Sequence, residues 1–444
     1  MNNMKLYIRQ AWAMLKQNKL FSVIYISGTA LAIATTMVMA IVYYVKIAPI
    51  YPEVNRGKTY YVTSLKSQDK KNVNQMQMWK VSYRALQEWF YPLKNVEAVS
   101  ATYDVSWGMA NNFVRADGAK EDLPVIVRPT DTGMFRIYDF HFVEGKPFSQ
   151  ADMESGIRSA VITTQLARYL YGMEEGVVGK AFRLNGKEHR VTGVVQGASY
   201  LSRHSFAQIY VPYSTINGYN QSNNRPQFLG TYNVTLMVKS DEQLTALRAE
   251  LDECIRKFNV GSDEFEITMG NQPTSHFWQV FNDDKQYIVE KDTSLAFLVK
   301  ECLVVFLVLL LVPALNLSAM ISGRMETRLS EMGVRKSFGA SRGVLLRQVL
   351  SENLVLTFLG GAIGLVLAWL ALVVGREFIF SMFEASFTER LGYLEVDLTG
   401  EMLLAPAIFV GAFLSIVMLN LMSALVPAYL SLRHPIIESL NEKR

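Results

Sequence analysis

Four stretches of the chain are nearly free of charge, and their positions organise the rest. Residues 20–47 meet no charge until Lys46, 302–322 carry none, 344–374 carry only Arg347 and Glu352 near their start, and 402–432 carry none. Each matches or exceeds the roughly 20 apolar residues that cross a ~30 Å hydrocarbon core as a helix. A buried helix of a soluble protein imitates one such run, not four. The pattern predicts an α-helical membrane protein with spans at 20–47, 296–322, 344–374 and 402–430. The first run follows Lys5, Arg9, Lys16 and Lys19 as a secretory signal would. It is too long for one and lacks a convincing small-residue cleavage site, so it reads as a retained anchor after an amphipathic N-terminal helix at 1–19.

Between the first two spans the pattern changes to that of a folded domain, 48–295, long enough for its own core. Its two ends read alike. Residues 58–65 suit a strand, 80–90 a helix and 96–104 a strand; near the far end 232–239 alternate as a strand, and 264–269 alternate again. Between these last two, Leu244, Leu247, Leu251, Ile255 and Phe258 share one helical face. Ser240 and Gln243 before that face match a capping box. Two β-α-β units, about 48–104 and 232–275, predict an α+β, ferredoxin-like split sheet. The insertion at 105–231 reads as β-rich, with a hairpin at Asn185-Gly186, which fits a type I′ turn, and a weaker turn at Asp117-Gly118. Residues 276–295 read as a stalk toward the second span.

Charge sets the orientation. The segment 323–343 holds five Lys/Arg against two acids, whereas 375–401 holds two Arg against six acids. By the positive-inside rule both termini and 323–343 are cytoplasmic, and 48–295 and 375–401 are external. The formal net charge of +4 is mostly this bias, so it is not read as a nucleic-acid signal.

Catalytic signatures are not evident. GVVGKAF at 176–182 has the wrong spacing for a phosphate-cradling loop, and the five histidines show no ligand pair. Ser205 follows His204 without the strand–elbow–helix context of a nucleophile, and Cys254 and Cys302 lie in different regions. Gly360, Gly361 and Gly364 allow close helix packing, either between subunits or within the chain. Lys300 and Glu301 stand where long side chains snorkel at a span end.

The segment after the second span reads as a compact basic hairpin. Met325, Leu329 and Met332 share one helical face, and Glu331 can pair with Arg328 or Arg335. Gly339 is placed to end this helix and Ser341 to cap the next. Pattern alone would leave it as a helix resting on anionic lipid.

The string EMGVRKSFGASRGVLLRQVLSENLVLTFLGGAIGLVLA, 331–368, resembles the segment beginning EIGVRKALGAS in MacB/FtsX-like ABC transporter permeases. SAVITTQLARYLYGMEEGVVGKAFRLNGKEHRVTGVVQ, 159–196, resembles the external-domain signature of MacB-type permeases. LVPAYLSLRHPIIESLNE, 425–442, resembles the family's Pro-Ala…Pro-Ile tail, with fewer small residues between the two motifs. The resemblance implies a stand-alone permease subunit of the bacterial inner membrane, with no cofactor or metal of its own, whose ATP and Mg sit in separate ABC ATPase subunits. The family's coupling helix falls on Arg328 to Phe338, with Glu331, Met332, Gly333, Arg335 and Lys336 at the contact and Gly339 and Ser341 shaping the turn. It also implies pairing with a second copy or a sister permease, contact with membrane lipids, and engagement of a periplasmic adaptor or substrate protein. The implied action is mechanotransmission, in which ATP-driven closure moves the external domains to export or extract a peptide, lipoprotein or small molecule. Control of a cell-wall hydrolase, as in FtsX, and a membrane sensor are the alternatives.

Overall fold

The computed structural model describes residues 19–72, 74–104, 112–115, 122–199, 201–222, 226–282, 300, 303–304, 307, 322, 329–376, 378–379 and 406–431. They form two compact units, one from the described residues within 19–44, 300–379 and 406–431, the other from those within 45–282. The expected N-terminal helix, most of the 296–322 span, the stalk beyond 282, Asp117-Gly118, the 381–401 loop, Arg328 and the tail after 431 lie outside the described residues.

In the first unit, three described helices are long and apolar enough to cross a membrane: Ser22–Ile47, Arg342–Val374 and Phe409–Leu430. Two threonine hydroxyls within the apolar Lys19–Ile47 helix are satisfied by its own backbone. Thr36 donates to Ala32 O at 2.8 Å and Thr35 to Leu31 O at 3.0 Å. Large apolar side chains, including Val366, Trp369, Leu370, Met418 and Met422, remain exposed. That suits lipid and would be costly in water.

In the second unit the antiparallel strand order is Ala98–Tyr103, Tyr232–Met237, Thr59–Val62, Thr274–Ser275. The helix Asp241–Gly261 and the helical segment 83–90 contribute Leu244, Leu247, Leu251, Ile255, Leu86, Trp89 and Phe90 to one core with Val62, Val234 and Leu236. Truncating one such leucine costs about 2–5 kcal/mol. Ser240 Oγ accepts from Gln243 N, but the Gln243 side chain reaches back to Lys239 N at 2.6 Å rather than to Ser240 N.

Two sequence expectations shift. Residues 76–81, partly assigned to a helix, form a strand paired with Leu65–Asp69. Helix begins only after Ser82, whose hydroxyl accepts from Ala85 N, and widens to a π-turn at Leu86–Phe90. Long-range pairing there outweighs local helical propensity. Residues 265–268 pair with Leu65–Asp69, while Thr274–Ser275 take the edge beside Thr59–Val62. The buried Gln272 fixes this arrangement: its Oε1 accepts from Thr63 N at 2.6 Å and its Nε2 donates to Ser64 O at 2.7 Å.

The inserted region is a mixed sheet. Ser159–Thr163 runs parallel to Lys187–Val195 and antiparallel to Ile209–Pro212, which runs parallel to Val127–Thr130. The Ala181–Leu184/Lys187–Val195 hairpin turns on Asn185 at φ 51° and Gly186 at φ 75°. Both values are positive, as a type I′ turn requires.

Candidate functional site

The hairpin in the membrane unit is built by backbone chemistry first. Helix Leu329–Ser337 ends where Gly339 adopts φ +90°, a conformation strained for any residue with a Cβ. Gly339 N donates to Lys336 O and Ala340 N to Arg335 O, both at 3.0 Å, the paired bonds of a Schellman termination. Two residues later Ser341 Oγ accepts from Val344 N and caps the Arg342–Val374 helix.

Side chains then tie the hairpin to that helix. Arg335 Nη1 donates to Gln348 Oε1 at 2.7 Å, and Gln348 Nε2 donates to Glu352 Oε1 at 3.0 Å. Glu352 is buried, so a basic residue of the hairpin connects through one amide to a carboxylate inside the helix packing. Lys336 is half-buried, and burial, then nearby Arg342, holds its ammonium below the usual lysine range. Gly333 is buried, while Phe338 is 88% exposed and Val334 44% exposed, one helical turn apart. Glu331 and Met332 lie on the helix. Of the residues expected to carry the contact, the structure thus places Gly333, Arg335, Lys336, Gly339 and Ser341 in one turn-bounded element. The exposed Val334–Phe338 pair and the Gln348–Glu352 link were not singled out from sequence. The i, i+4 spacing of Gln348 and Glu352 was the available signal.

The three glycines face helices of their own chain. A methyl at Gly360 would lie 2.8 Å from Thr29 Cβ, and one at Gly364 would lie 2.6 Å from Ala30 O; at Gly361 it would strike the Phe413 ring. Tyr25 OH and Thr357 Oγ1 meet at 3.3 Å beside this seam, and Asn420 Nδ2 donates to Thr357 Oγ1 at 3.5 Å.

The second unit holds a buried ionic joint. Arg56, 4% exposed, donates from Nε to Glu53 Oε2 at 2.8 Å and from Nη1 to Val45 O at 2.7 Å and Ala48 O at 2.6 Å. A cation at a helix C-terminus satisfies carbonyls that have no intrahelical partner and opposes the dipole. Glu53 Oε1 accepts from both N and Oγ of Ser205 at 2.9 Å. Ser205, considered from sequence only as a poorly supported nucleophile, is therefore a structural donor. His276 Nε2 donates to Lys46 O at 2.8 Å, and the His204 ring stacks on Tyr61 at 4.0 Å. Burial alone would raise the Glu53 carboxyl, but Arg56 and the two histidines outweigh it and hold it at about 2. Burial lowers His204 to about 3 and lowers His276 as well.

Comparison with known proteins adds a family context. Residues 22–253 match the family model of the MacB-like periplasmic core domain, and 303–436 match that of the FtsX-like permease C-terminal domain. The ABC transporter permease YknZ of Bacillus subtilis is 23% identical over 274 residues, 62% of each chain. The pyoverdine export ATP-binding/permease protein PvdT of Pseudomonas entomophila is 26% identical over 255 residues, 56% of this chain and 35% of that protein. The chain thus spans less than two thirds of the length of these relatives. Among solved structures, the periplasmic region of MacB from Actinobacillus actinomycetemcomitans aligns at TM-score 0.32 with 14% identity, covering 47% of this chain and 88% of that one. The extracellular domain of YknZ aligns at TM-score 0.30 with 17% identity, covering 46% and 100%.

Proposed function

The chain belongs to the MacB/FtsX-like family of ABC transporter permeases, and on that premise we propose that it is the membrane subunit on which a separate ABC ATPase acts. The observation that carries this reading is the hairpin 329–341. It exposes Val334 and Phe338, which offer an apolar grip, while Arg335 links through Gln348 to buried Glu352. A push on such an element passes into the Arg342–Val374 helix rather than dissipating in a loop. From there the glycine contacts at 360, 361 and 364 lead to the Lys19–Ile47 and Pro406–Ser431 helices.

In this proposal the protein lies in the bacterial inner membrane with four spans, both termini cytoplasmic, and a second permease beside it. The strand order Ala98–Tyr103, Tyr232–Met237, Thr59–Val62, Thr274–Ser275 supports reading the external core as a ferredoxin-like split β-α-β sheet. ATP and Mg belong to the partner subunits, and ATP-driven closure moves the external domains to export or extract a peptide, lipoprotein or small molecule.

The test is purification of the chain from its native membrane in mild detergent, followed by an ATPase assay. The proposal expects an ATP-binding subunit in the complex; none under these conditions would overturn it. Crosslinking through the external domain separates the output, since capture of a cell-wall hydrolase would replace export by hydrolase control.

A further inference from the structure

A cleft of about 590 Å³ opens in the second unit between the split-sheet core and the inserted region. That volume suits a small organic ligand. One wall is the helical segment 83–91, another the turn 131–136 with the helix Gln150–Glu154, and a third the segment 213–219. The π-turn at Leu86–Phe90 shapes the first wall. Tyr91 N donates to Leu86 O at 2.9 Å, an i→i+5 bond that buries Leu86, Trp89 and Phe90 in the core while Tyr91 stays on the cleft. Such widened turns are frequent at functional sites.

Four tyrosines line the cleft. Tyr83 and Tyr219 meet edge to face at 5.3 Å, the Tyr213 and Tyr219 rings are tilted at 37° with centroids 5.8 Å apart, and Tyr91 OH lies 3.0 Å from Tyr213 OH. Tyr91 donates onward to Asp131 Oδ2 at 2.9 Å. Asp131 is 3% exposed; it also accepts from Ala101 N at 2.7 Å and Ser100 Oγ at 2.9 Å, and no Lys or Arg pairs with it among the described residues. Burial pushes its carboxyl up to about 6 against these hydrogen bonds. Ser214 Oγ, also on the cleft wall, is buried with no hydrogen-bond partner.

The charge around this floor has one sign in excess. Glu97, Asp131 and Glu154 line the cleft against a single cation, Arg136, which donates to Glu97 O at 3.0 Å. Glu97 itself pairs with Lys239 at 2.8 Å, which leaves exposed Glu154 as the acidic group at the mouth. Three features therefore favour the same ligand chemistry. Tyrosine faces attract cations through the ring quadrupole. The Asp131–Tyr91–Tyr213 chain carries negative potential to the cleft surface, leaving hydroxyl oxygen lone pairs there to accept. A carboxylate buried without a counter-ion gains from any cation brought close.

We propose that this cleft binds an organic cation, a molecule with a primary ammonium group beside an aromatic or aliphatic body. The ammonium sits between Glu154 and the Tyr91–Tyr213 hydroxyl pair, the body packs on Tyr83 and Tyr219, and Ser214 Oγ gains a partner. The proposal names a ligand class for the external domain of the permease read above and rests on that reading only for its biological direction. Binding itself requires no ATPase.

The test uses the full chain in phosphatidylcholine nanodiscs and saturation-transfer NMR with phenethylamine, 2-phenylethanol and 3-phenylpropionate as probes, with empty nanodiscs subtracted. The amine binds at least about tenfold more tightly than the alcohol, a difference of about 1.4 kcal/mol, and the carboxylate does not bind. Tyr213→Phe, which keeps the ring, and Glu154→Gln, at an exposed position, each weaken the amine about threefold or more. Equal binding of amine and alcohol overturns the proposal, as does unchanged amine binding in both variants. Absence of an ATPase partner would sink the coupling proposal and leave this measurement standing.

Discussion

Replacing Arg56 by methionine probes the ionic joint at the end of the first long helix. The substitution keeps an unbranched apolar stem and deletes the guanidinium. Glu53, 1% exposed, then loses its cation at 2.8 Å, and the carbonyls of Val45 and Ala48 lose donors at 2.7 and 2.6 Å. Removing one partner of a buried pair costs about 3–5 kcal/mol, because the other charge stays buried. Unmet carbonyls add to this and water entry subtracts, so about 4 kcal/mol is the working figure. For a domain of this size each kcal/mol lowers the melting midpoint by roughly 2–4 °C, which gives a fall of about 8–16 °C. Scanning fluorimetry of the detergent-purified chain at pH 7.5 measures it. Hydrogen exchange should localise the loss to amides around 48–56 and 201–206. Adding Glu53→Gln removes the stranded charge and should recover about half the loss. A midpoint within 2 °C of the parent for Arg56→Met, or a double variant worse than the single, would refute the reasoning.

Acid should weaken the same joint. His204 has a folded value of about 3 against 6.5 unfolded, so the unfolded chain binds more protons between these limits and stability falls as pH falls. At pH 5 the loss is about 2 kcal/mol; His276 acts in the same direction, and Glu53 contributes only below about 4.5. His204→Phe should flatten the pH 7.5-to-5 difference in melting midpoint, and an unchanged slope would count against the assignment. In the membrane unit, Gly364→Leu should cut the yield of folded protein, because even a methyl would approach Ala30 O to 2.6 Å, whereas Gly411→Leu, with open space around it, should not. Equal yields from the two would contradict the packing. Gln348→Leu severs Arg335 from Glu352 and should leave a bound ATPase attached while lowering its coupling to the external domain. Full coupling in that variant would remove the link from the mechanism.

Local signals in the sequence were strong and distant ones weak, and the physical reasons differ from element to element. Runs nearly free of charge mark the helices 19–47, 342–374 and 406–431 because each helix satisfies its own backbone within lipid. Gly339, Ser341 and Asn185-Gly186 are legible because caps and turns depend on three or four neighbouring residues. Strand pairing is not local, so residues 80–81 were read into the 80–90 helix and the 274–275 edge strand went unseen. Convergence over long separations is illegible in one sequence. Glu53 meets Ser205 across 152 positions, and Tyr91 meets Tyr213 across 122. The ionic joint and the tyrosine cleft both arise this way, and neither leaves a motif.

If an ATPase grips the hairpin, Phe338 lies within its reach. It is 88% exposed at the end of the Leu329–Ser337 helix. With Phe338→Cys in native membranes, a short thiol-to-amine crosslinker followed by peptide mass spectrometry identifies what touches that position. An adduct with an ABC ATP-binding subunit is expected, absent when the cysteine is placed instead at Val374, 82% exposed at the opposite end of the following helix. A Phe338→Cys chain that labels fully with a soluble maleimide yet forms no adduct with any ATP-binding subunit would contradict it.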